Sequence, residues 1–255
     1  MIQKHLEINN KYNKKLSAII ELPEDNLKDI LIISHCFTCS KIYKLYNNIS
    51  KTLVDKNYAV VRYDVMGLGN SEGSFSQSTF STNIDDLLSV YEYISKNFKT
   101  PKYLFGHSLG ALVSIKAASN LESVIGVATV GSPSDFNNLI KLFSHYEDEL
   151  TKSDKLNINL AGRSIDIGLD FLKDLRDNSA VDIIEKFNKS ILIFHSDSDL
   201  TVPYRDGLNL FELIKSDKSF ITLNNTDHLA SKIEDSKYIA EILSLWFDKK
   251  NYLAN

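Results

Sequence analysis

The chain has 255 residues, with 29 Lys and Arg against 33 Asp and Glu, for a formal charge of −4. Hydrophobic residues make up 43% and charged residues 24%, a balance that excludes a disordered chain and a chain built of apolar spans. No run approaches the roughly 18 consecutive apolar residues of a membrane helix, and no Lys/Arg cluster is present to neutralise a phosphate backbone. Neither a membrane nor a nucleic acid is therefore expected as a partner. The opening stretch MIQKHLEINNKYNKK has no apolar core of the kind a secretory signal needs, so the expected compartment is the cytoplasm. A chain of this size commonly folds around one core without staples.

Residues 4–9 and 15–22 alternate apolar and polar side chains and read as an opening antiparallel hairpin. The texture then changes. Ile30–Ser34 (ILIIS), Ala59–Tyr63 (AVVRY), Tyr103–Gly106 (YLFG), Val124–Val130 (VIGVATV) and Ile191–Phe194 (ILIF) are short continuous apolar runs, the pattern of strands buried on both faces. Stretches at helical spacing lie between them, at 41–56, 80–97, 109–120 and 204–215. Alternation of this kind predicts βαβ units and a mostly parallel, doubly wound α/β fold.

One interval breaks the rhythm. Between Gly131 and Ser190 the chain runs several times the length of an ordinary connection. Phe136, Leu139, Ile140 and Phe143 fall on one helical stripe, and residues 157–167 alternate around Gly162-Arg163, which reads as a hairpin turn. The expected division is a core of 1–134 and 187–255 with a lid of 135–186. An insert after a parallel strand would overhang the carboxyl ends of the sheet, where ligands bind in such folds.

The chemistry is concentrated in a few segments. Gly106-His107-Ser108-Leu109-Gly110 follows one predicted strand and opens a helix, the context in which GxSxG exposes a nucleophilic serine on a strained turn. Ser108 is the candidate nucleophile. A serine hydroxyl needs a base to take its proton, and the base needs a carboxylate to fix its tautomer. In this context the expected order is Ser, Asp/Glu, His. Asp197 and Asp199 lie in the loop after the ILIF strand, and His228 lies in NNTDHLA after the next apolar run, Ser219–Leu223. Asp199 is preferred because Val202-Pro203 starts the following helix and leaves it mid-loop. The oxyanion donors are then the N–H of Leu109 and, from the loop after ILIIS, the N–H of Phe37. His35, His107 and His195 flank these segments and are assigned no chemistry; His5 and His145 read as surface or lid residues.

Two motifs compete with this reading. Gly67-Leu68-Gly69-Asn70-Ser71-Glu72-Gly73 resembles a dinucleotide fingerprint, but Glu72 stands where the third glycine belongs and no helix begins within it. Cys36-Phe37-Thr38-Cys39 is a CxxC between a strand and a helix, where redox pairs sit, yet redox chemistry would leave GxSxG, Asp199 and His228 unexplained. The two cysteines are expected as reduced neighbours of the site, with Cys36 a small apolar residue in place of glycine. No Walker loop and no zinc-ligand spacing occurs, so no cofactor and no metal is implied.

In HCFTCSK (35–41), RYDVMGLGNSEGSF (62–75), GHSLGA (106–111), GSPSDF (131–136), HSDSDLTVP (195–203) and KSFITLNNTDHL (218–229) the chain resembles the serine hydrolases of the α/β-hydrolase superfamily. More narrowly it is similar to the esterase-type hydrolases found fused to OsmC-like domains. The resemblance implies a triad of Ser108, Asp199 and His228 with backbone donors at Phe37 and Leu109. Cinnamoyl and feruloyl esterases have a comparable lid at the position of 135–186. Two departures stand out: His35-Cys36 replaces the commoner His-Gly, and no OsmC-like domain, with its thiol chemistry, is expected after Asn255. The expectation is a cofactor-independent carboxylic ester hydrolase acting through an acyl-enzyme on a small-molecule ester, as a monomer or homodimer. Two other classes remain open: an aminopeptidase-like amide hydrolase with a lid carboxylate (Glu147, Asp148 or Glu149) on the substrate amine, and a non-catalytic ligand-binding protein on the same scaffold.

Overall fold

The computed structural model describes residues 1–153, 155–160 and 162–254. Its largest element is an eight-stranded sheet of β1 (Ile2–Asn9), β2 (Lys15–Leu22), β3 (Ile30–Ser34), β4 (Ala59–Tyr63), β5 (Tyr103–His107), β6 (Gly126–Val130), β9 (Ser190–Ser196) and β10 (Lys218–Leu223), in the order β1-β2-β4-β3-β5-β6-β9-β10. The hairpin β1–β2 and the β2–β4 pair are antiparallel, and the rest of the sheet is parallel. The expected mostly parallel α/β architecture is what forms.

The two-residue repeat of the strands explains why the sheet is covered on both faces. Ile30 and Ile32 enter one apolar cluster with Val61, Leu104 and Val127, against α2 (Phe80–Asn97), α3 (Leu109–Ala118) and α8 (Tyr204–Leu213). Leu31 and Ile33 enter the other with Val60, Phe105 and Phe194, against α1 (Lys44–Val54) and α9 (Ile233–Ala254). α2 starts with a reciprocal capping box between Thr79 and Thr82, which satisfies two backbone donors that the first turn leaves orphaned. α3 is apolar nearly all round because it is buried nearly all round.

The segment between β6 and β9 holds α4 (Asn137–Ser144), α5 (Glu147–Leu150), a separate hairpin of β7 (Leu156–Leu160) and β8 (Arg163–Ile167), α6 (Leu169–Asp177) and α7 (Ala180–Glu185). The register pairs Leu160 with Arg163, so Arg163 belongs to the strand and not to the turn expected at Gly162-Arg163; Ala161 lies outside the described residues. Burial sets this register, since Ile158 and Ile165 are cross-strand partners and both are buried. The segment is tied to the core by Asp174, which accepts from the Ser81 N–H at 2.7 Å and from its hydroxyl at 2.6 Å. Three aromatic rings add to this tie: Phe37 stacks on Phe171 at 5.0 Å and meets Phe143 edge-on at 5.7 Å.

Chain order reverses between β3 and β5: β3 connects to β4 on one side, and β5 connects to β6 on the other. The loops leaving the carboxyl ends of these two adjacent strands therefore diverge and leave a crevice between them, the usual place for a ligand in an open α/β sheet.

Candidate active site

Ser108 lies at that crevice. It is the residue between β5 and α3, with φ 55° and ψ −122°, a conformation that costs a non-glycine residue about 1–3 kcal/mol and persists only where its surroundings enforce it. The enforcement is visible: the Ser108 N–H donates to the Val130 carbonyl at 3.0 Å, and its carbonyl accepts from the Ala111 N–H at 2.9 Å. Gly110 completes the turn. A Cβ at that position would lie 2.5 Å from the carbonyl oxygens of Ser34 and His35, so only glycine lets the first turn of α3 close onto the loop after β3.

That loop carries Phe37. The Cys36 carbonyl accepts from the His35 Nδ1–H at 2.8 Å and from the Cys39 N–H at 3.0 Å. In a trans peptide the following N–H points the opposite way, so the Phe37 N–H faces away from His35. Among the described residues neither the Phe37 N–H nor the Leu109 N–H donates to another protein atom. The Leu109 N–H also opens α3, where the helix dipole favours negative charge.

His228, in the loop after β10, is joined to Asp199, in the loop after β9, by a 2.7 Å contact between Nδ1 and Oδ2. The other carboxylate oxygen, Oδ1, accepts from the N–H groups of Thr201 at 2.8 Å and Val202 at 2.9 Å. Burial opposes ionisation of Asp199, but the hydrogen bond and charge of His228 together with the two backbone donors outweigh it and hold the carboxyl below its usual range. An ionised Asp199 accepts only, so Nδ1 of His228 carries the proton and Nε2 is left as an acceptor. Asp197 is exposed and is occupied elsewhere, by the Ser198 hydroxyl and the Asn225 N–H. Of the two carboxylates in the loop, Asp199 is the one on the histidine.

Ser108, Leu109, Phe37 and His228 line one cavity of about 420 Å³. Its far wall comes from the segment after β6, where Phe136, Leu139, Leu142 and Leu160 supply apolar surface and Asp135 and Asn138 supply polar groups. Glu147 is engaged by Arg176 at 2.7 Å, and none of Glu147, Asp148 and Glu149 lines this cavity.

The structure corrects one expectation. Cys36 and Cys39 form a disulfide instead of standing as reduced thiols. The tight turn closed by the Cys39 N–H brings their Cα atoms to 5.2 Å, within the span a disulfide bridges. Residues 67–73 fold into turns with no helix starting among them; the Asn70 N–H there donates to Asp64, which also forms a buried ion pair with Lys41. Among the described residues no group of three or more His, Cys, Asp or Glu is placed to hold a metal, and no helix is long and apolar enough to cross a membrane.

Several residues that shape the site carry no sequence signal of their own. Gly131 follows β6 with φ 58°, and a Cβ there would sit 3.0 Å from the His228 ring and 3.3 Å from Asp199. His35, His107 and His195 are buried, and burial lowers the pKa of each, that of His107 to about 3. All three are neutral hydrogen-bonding partners.

A family model described as serine aminopeptidase S33 matches residues 25–137, the part of the chain holding the loop after β3 and the serine turn. Lysophosphatidylserine lipase ABHD12 of Danio rerio is 31% identical over 66% of this chain, a match that spans 43% of that protein's length. The mitochondrial palmitoyl-protein thioesterase ABHD10 of Homo sapiens is 22% identical over 84% of this chain and 73% of its own. Among solved structures, the esterase domain of a Rhodothermus marinus protein is 29% identical with a TM-score of 0.78, covering 96% of this chain and 98% of that one. Est1E of Butyrivibrio proteoclasticus, solved with ferulic acid, is 20% identical with a TM-score of 0.79, covering 98% of this chain and all of its own. With the sheet order and the strained turn at Ser108, these likenesses show the α/β-hydrolase fold and support a serine hydrolase of that superfamily.

Proposed function

We propose that the protein is a carboxylic ester hydrolase acting through an acyl-enzyme, with Ser108, His228 and Asp199 as its triad. The observation that carries this reading is the 2.7 Å His228–Asp199 pair opening into the same cavity as Ser108. In the first half-reaction His228 Nε2 takes the Ser108 hydroxyl proton as Oγ attacks the ester carbonyl. The negative charge that develops on the carbonyl oxygen is met by the N–H groups of Phe37 and Leu109. The imidazolium returns its proton to the departing alcohol, leaving Ser108 acylated. A water then repeats the sequence, giving up its proton to His228 and releasing the acid.

Residues 135–186 act as a lid in this reading. They supply the cavity's apolar far wall and reach the oxyanion loop through the contacts of Phe143 and Phe171 with Phe37. An apolar wall favours acyl or aryl groups, and relatives named as lipase, thioesterase and esterase support acyl transfer as the reaction class. None of Glu147, Asp148 and Glu149 lines the cavity, but the lid carboxylate Asp135 does, so the preference for esters over aminopeptidase substrates rests on the apolar wall and on the acyl-transfer relatives.

The test compares wild type with Ser108→Ala on nitrophenyl acetate, butyrate and octanoate and on an aminoacyl nitroanilide. Wild type is expected to cleave the esters and to be labelled by a fluorophosphonate, and Ser108→Ala to do neither. An unlabelled, inactive wild type would establish a binding protein on this scaffold, and a preference for the anilide would establish the amide reading.

A further inference from the structure

Four loops carry the site, and one buried pair of side chains touches three of them. Tyr46, on α1, is fully buried and accepts from the Cys36 N–H at 3.0 Å. Its hydroxyl lies 2.9 Å from Nδ1 of His107, also fully buried. Nε2 of His107 in turn lies 2.9 Å from the His228 carbonyl oxygen. Cys36 precedes Phe37, His107 precedes Ser108, and His228 is itself one end of the chain. The pair therefore binds the oxyanion loop, the nucleophile turn and the loop of the general base.

The protons along this chain follow from elimination. The His228 carbonyl can only accept, so Nε2 of His107 carries the hydrogen. A neutral imidazole has one N–H, and burial keeps His107 neutral, so its Nδ1 must accept. The Tyr46 hydroxyl is then the donor to Nδ1, and its oxygen is left to accept from the Cys36 N–H. Every group has a partner of the right kind. The arrangement fixes the Cys36 N–H from behind while His35 and Cys39 fix the Cys36 carbonyl, so Cys36, whose carbonyl shares a peptide with the Phe37 N–H, is held on both sides. Neither Tyr46 nor His107 lines the cavity, so neither touches a substrate there.

We propose that Tyr46 and His107 are positioning residues: a buried strap that holds the oxyanion donor, the nucleophile and the general base at fixed separations. This rests on the reading of Ser108 as nucleophile. Displacement of a reacting group by about 1 Å costs on the order of 100-fold in rate, and loss of the strap frees two of the three loops at once.

The experiment measures kcat and KM on nitrophenyl butyrate for Tyr46→Phe, which keeps the ring in the core and removes only its oxygen, with Ser108→Ala as reference. The expected result is a kcat lower by about 10- to 100-fold with KM within twofold. His107→Gln, whose side-chain amide can still donate to the His228 carbonyl, should retain about tenfold more kcat than His107→Leu. It carries the test alone if Tyr46→Phe does not fold. The double variant Tyr46→Phe/His107→Gln should lose little more than the worse single variant, because both break one chain. Wild-type kcat in Tyr46→Phe, equal kcat in the two His107 variants, or losses that multiply in the double variant would overturn the strap while an inactive Ser108→Ala leaves the triad standing. A fully active Ser108→Ala would overturn the triad, and the strap with it.

Discussion

Replacing Asp199 by Asn changes no volume, yet its effect can be worked out from three hydrogen bonds. Oδ1 of Asp199 accepts from the Thr201 and Val202 N–H groups, and Oδ2 accepts from Nδ1 of His228. An asparagine has one oxygen for these three donors. If that oxygen stays on the two backbone groups, the amide NH2 faces Nδ1 of His228 and can only donate. The imidazole must then carry its proton on Nε2, where it can no longer take one from Ser108. The opposite orientation keeps the right tautomer but turns the NH2 toward two buried N–H groups, at about 1–3 kcal/mol for each left unpaired. The wrong tautomer is therefore the favoured one. A loss of this kind is about 10³- to 10⁴-fold in kcat, or about 4–5.5 kcal/mol of transition-state stabilisation. Asp197→Asn is the internal control: Oδ1 there accepts from Ser198 and Asn225, an amide oxygen can do the same, and kcat should change by less than about twofold. Steady-state hydrolysis of nitrophenyl butyrate by both variants, with circular dichroism to establish folding, checks the argument. If Asp199→Asn kept a tenth or more of wild-type kcat, or if Asp197→Asn were the more damaged, the tautomer reasoning would be refuted.

Gly131→Ala places a methyl 3.0 Å from the His228 ring at a backbone φ of 58°, so it should cost about 1–2 kcal/mol in stability and lower kcat several-fold, up to about tenfold, through a shift of a few tenths of an ångström at the general base; unchanged kcat in a thermal-melt-verified variant would separate Gly131 from the site. The buried His107 has its pKa lowered to about 3 by burial, with the nearby charge of His228 adding to it, so between about pH 3 and 6.5 the folded state binds fewer protons than the unfolded one. The stability this contributes is present above pH 6.5 and lost as pH falls through that window. Urea titrations from pH 7 to 4 should show wild type losing more stability than His107→Gln; parallel curves would refute it.

The fold was legible where burial leaves a local trace. β3 and β4 match their runs residue for residue because strands covered on both faces need mostly apolar side chains; the buried exceptions, Ser34 and Arg62, are met by the Tyr63 hydroxyl and by Glu21. β6 begins two residues after the start of its run, because Val124 and Ile125 are apolar for packing reasons alone and precede the ladder. The Ser108 turn was legible for a different reason: strand, strained residue and helix are contiguous, so the whole device is written within a few positions. Asp199 and His228 are read from chain order and from their places in the loops after predicted strands. What separates Asp199 from Asp197 is the direction in which the loop aims each carboxylate, and that depends on which backbone N–H groups curl back onto it.

Tyr46 and Cys36–Cys39 mark where such reading ends. In the sequence Tyr46 is one apolar position on the inward stripe of α1, and it does pack there against the sheet. Its hydroxyl matters only because β3, β5 and β10 deliver three loops to the same place beneath it, a fact of sheet order and not of spacing. The cysteine pair fails in the opposite sense: its spacing is conspicuous, but the bond depends on a turn that a single backbone hydrogen bond closes. The division between what is visible and what is hidden follows the range of the forces involved. The nucleophile's geometry is enforced by neighbours in sequence, whereas the proposed strap sets the relative placement of nucleophile, base and oxyanion donors through Tyr46, outside every motif, and His107, at a position that GxSxG leaves unspecified. If the strap acts as proposed, substitutions that leave the GxSxG segment, Asp199 and His228 intact, Tyr46→Phe among them, should still disable the site.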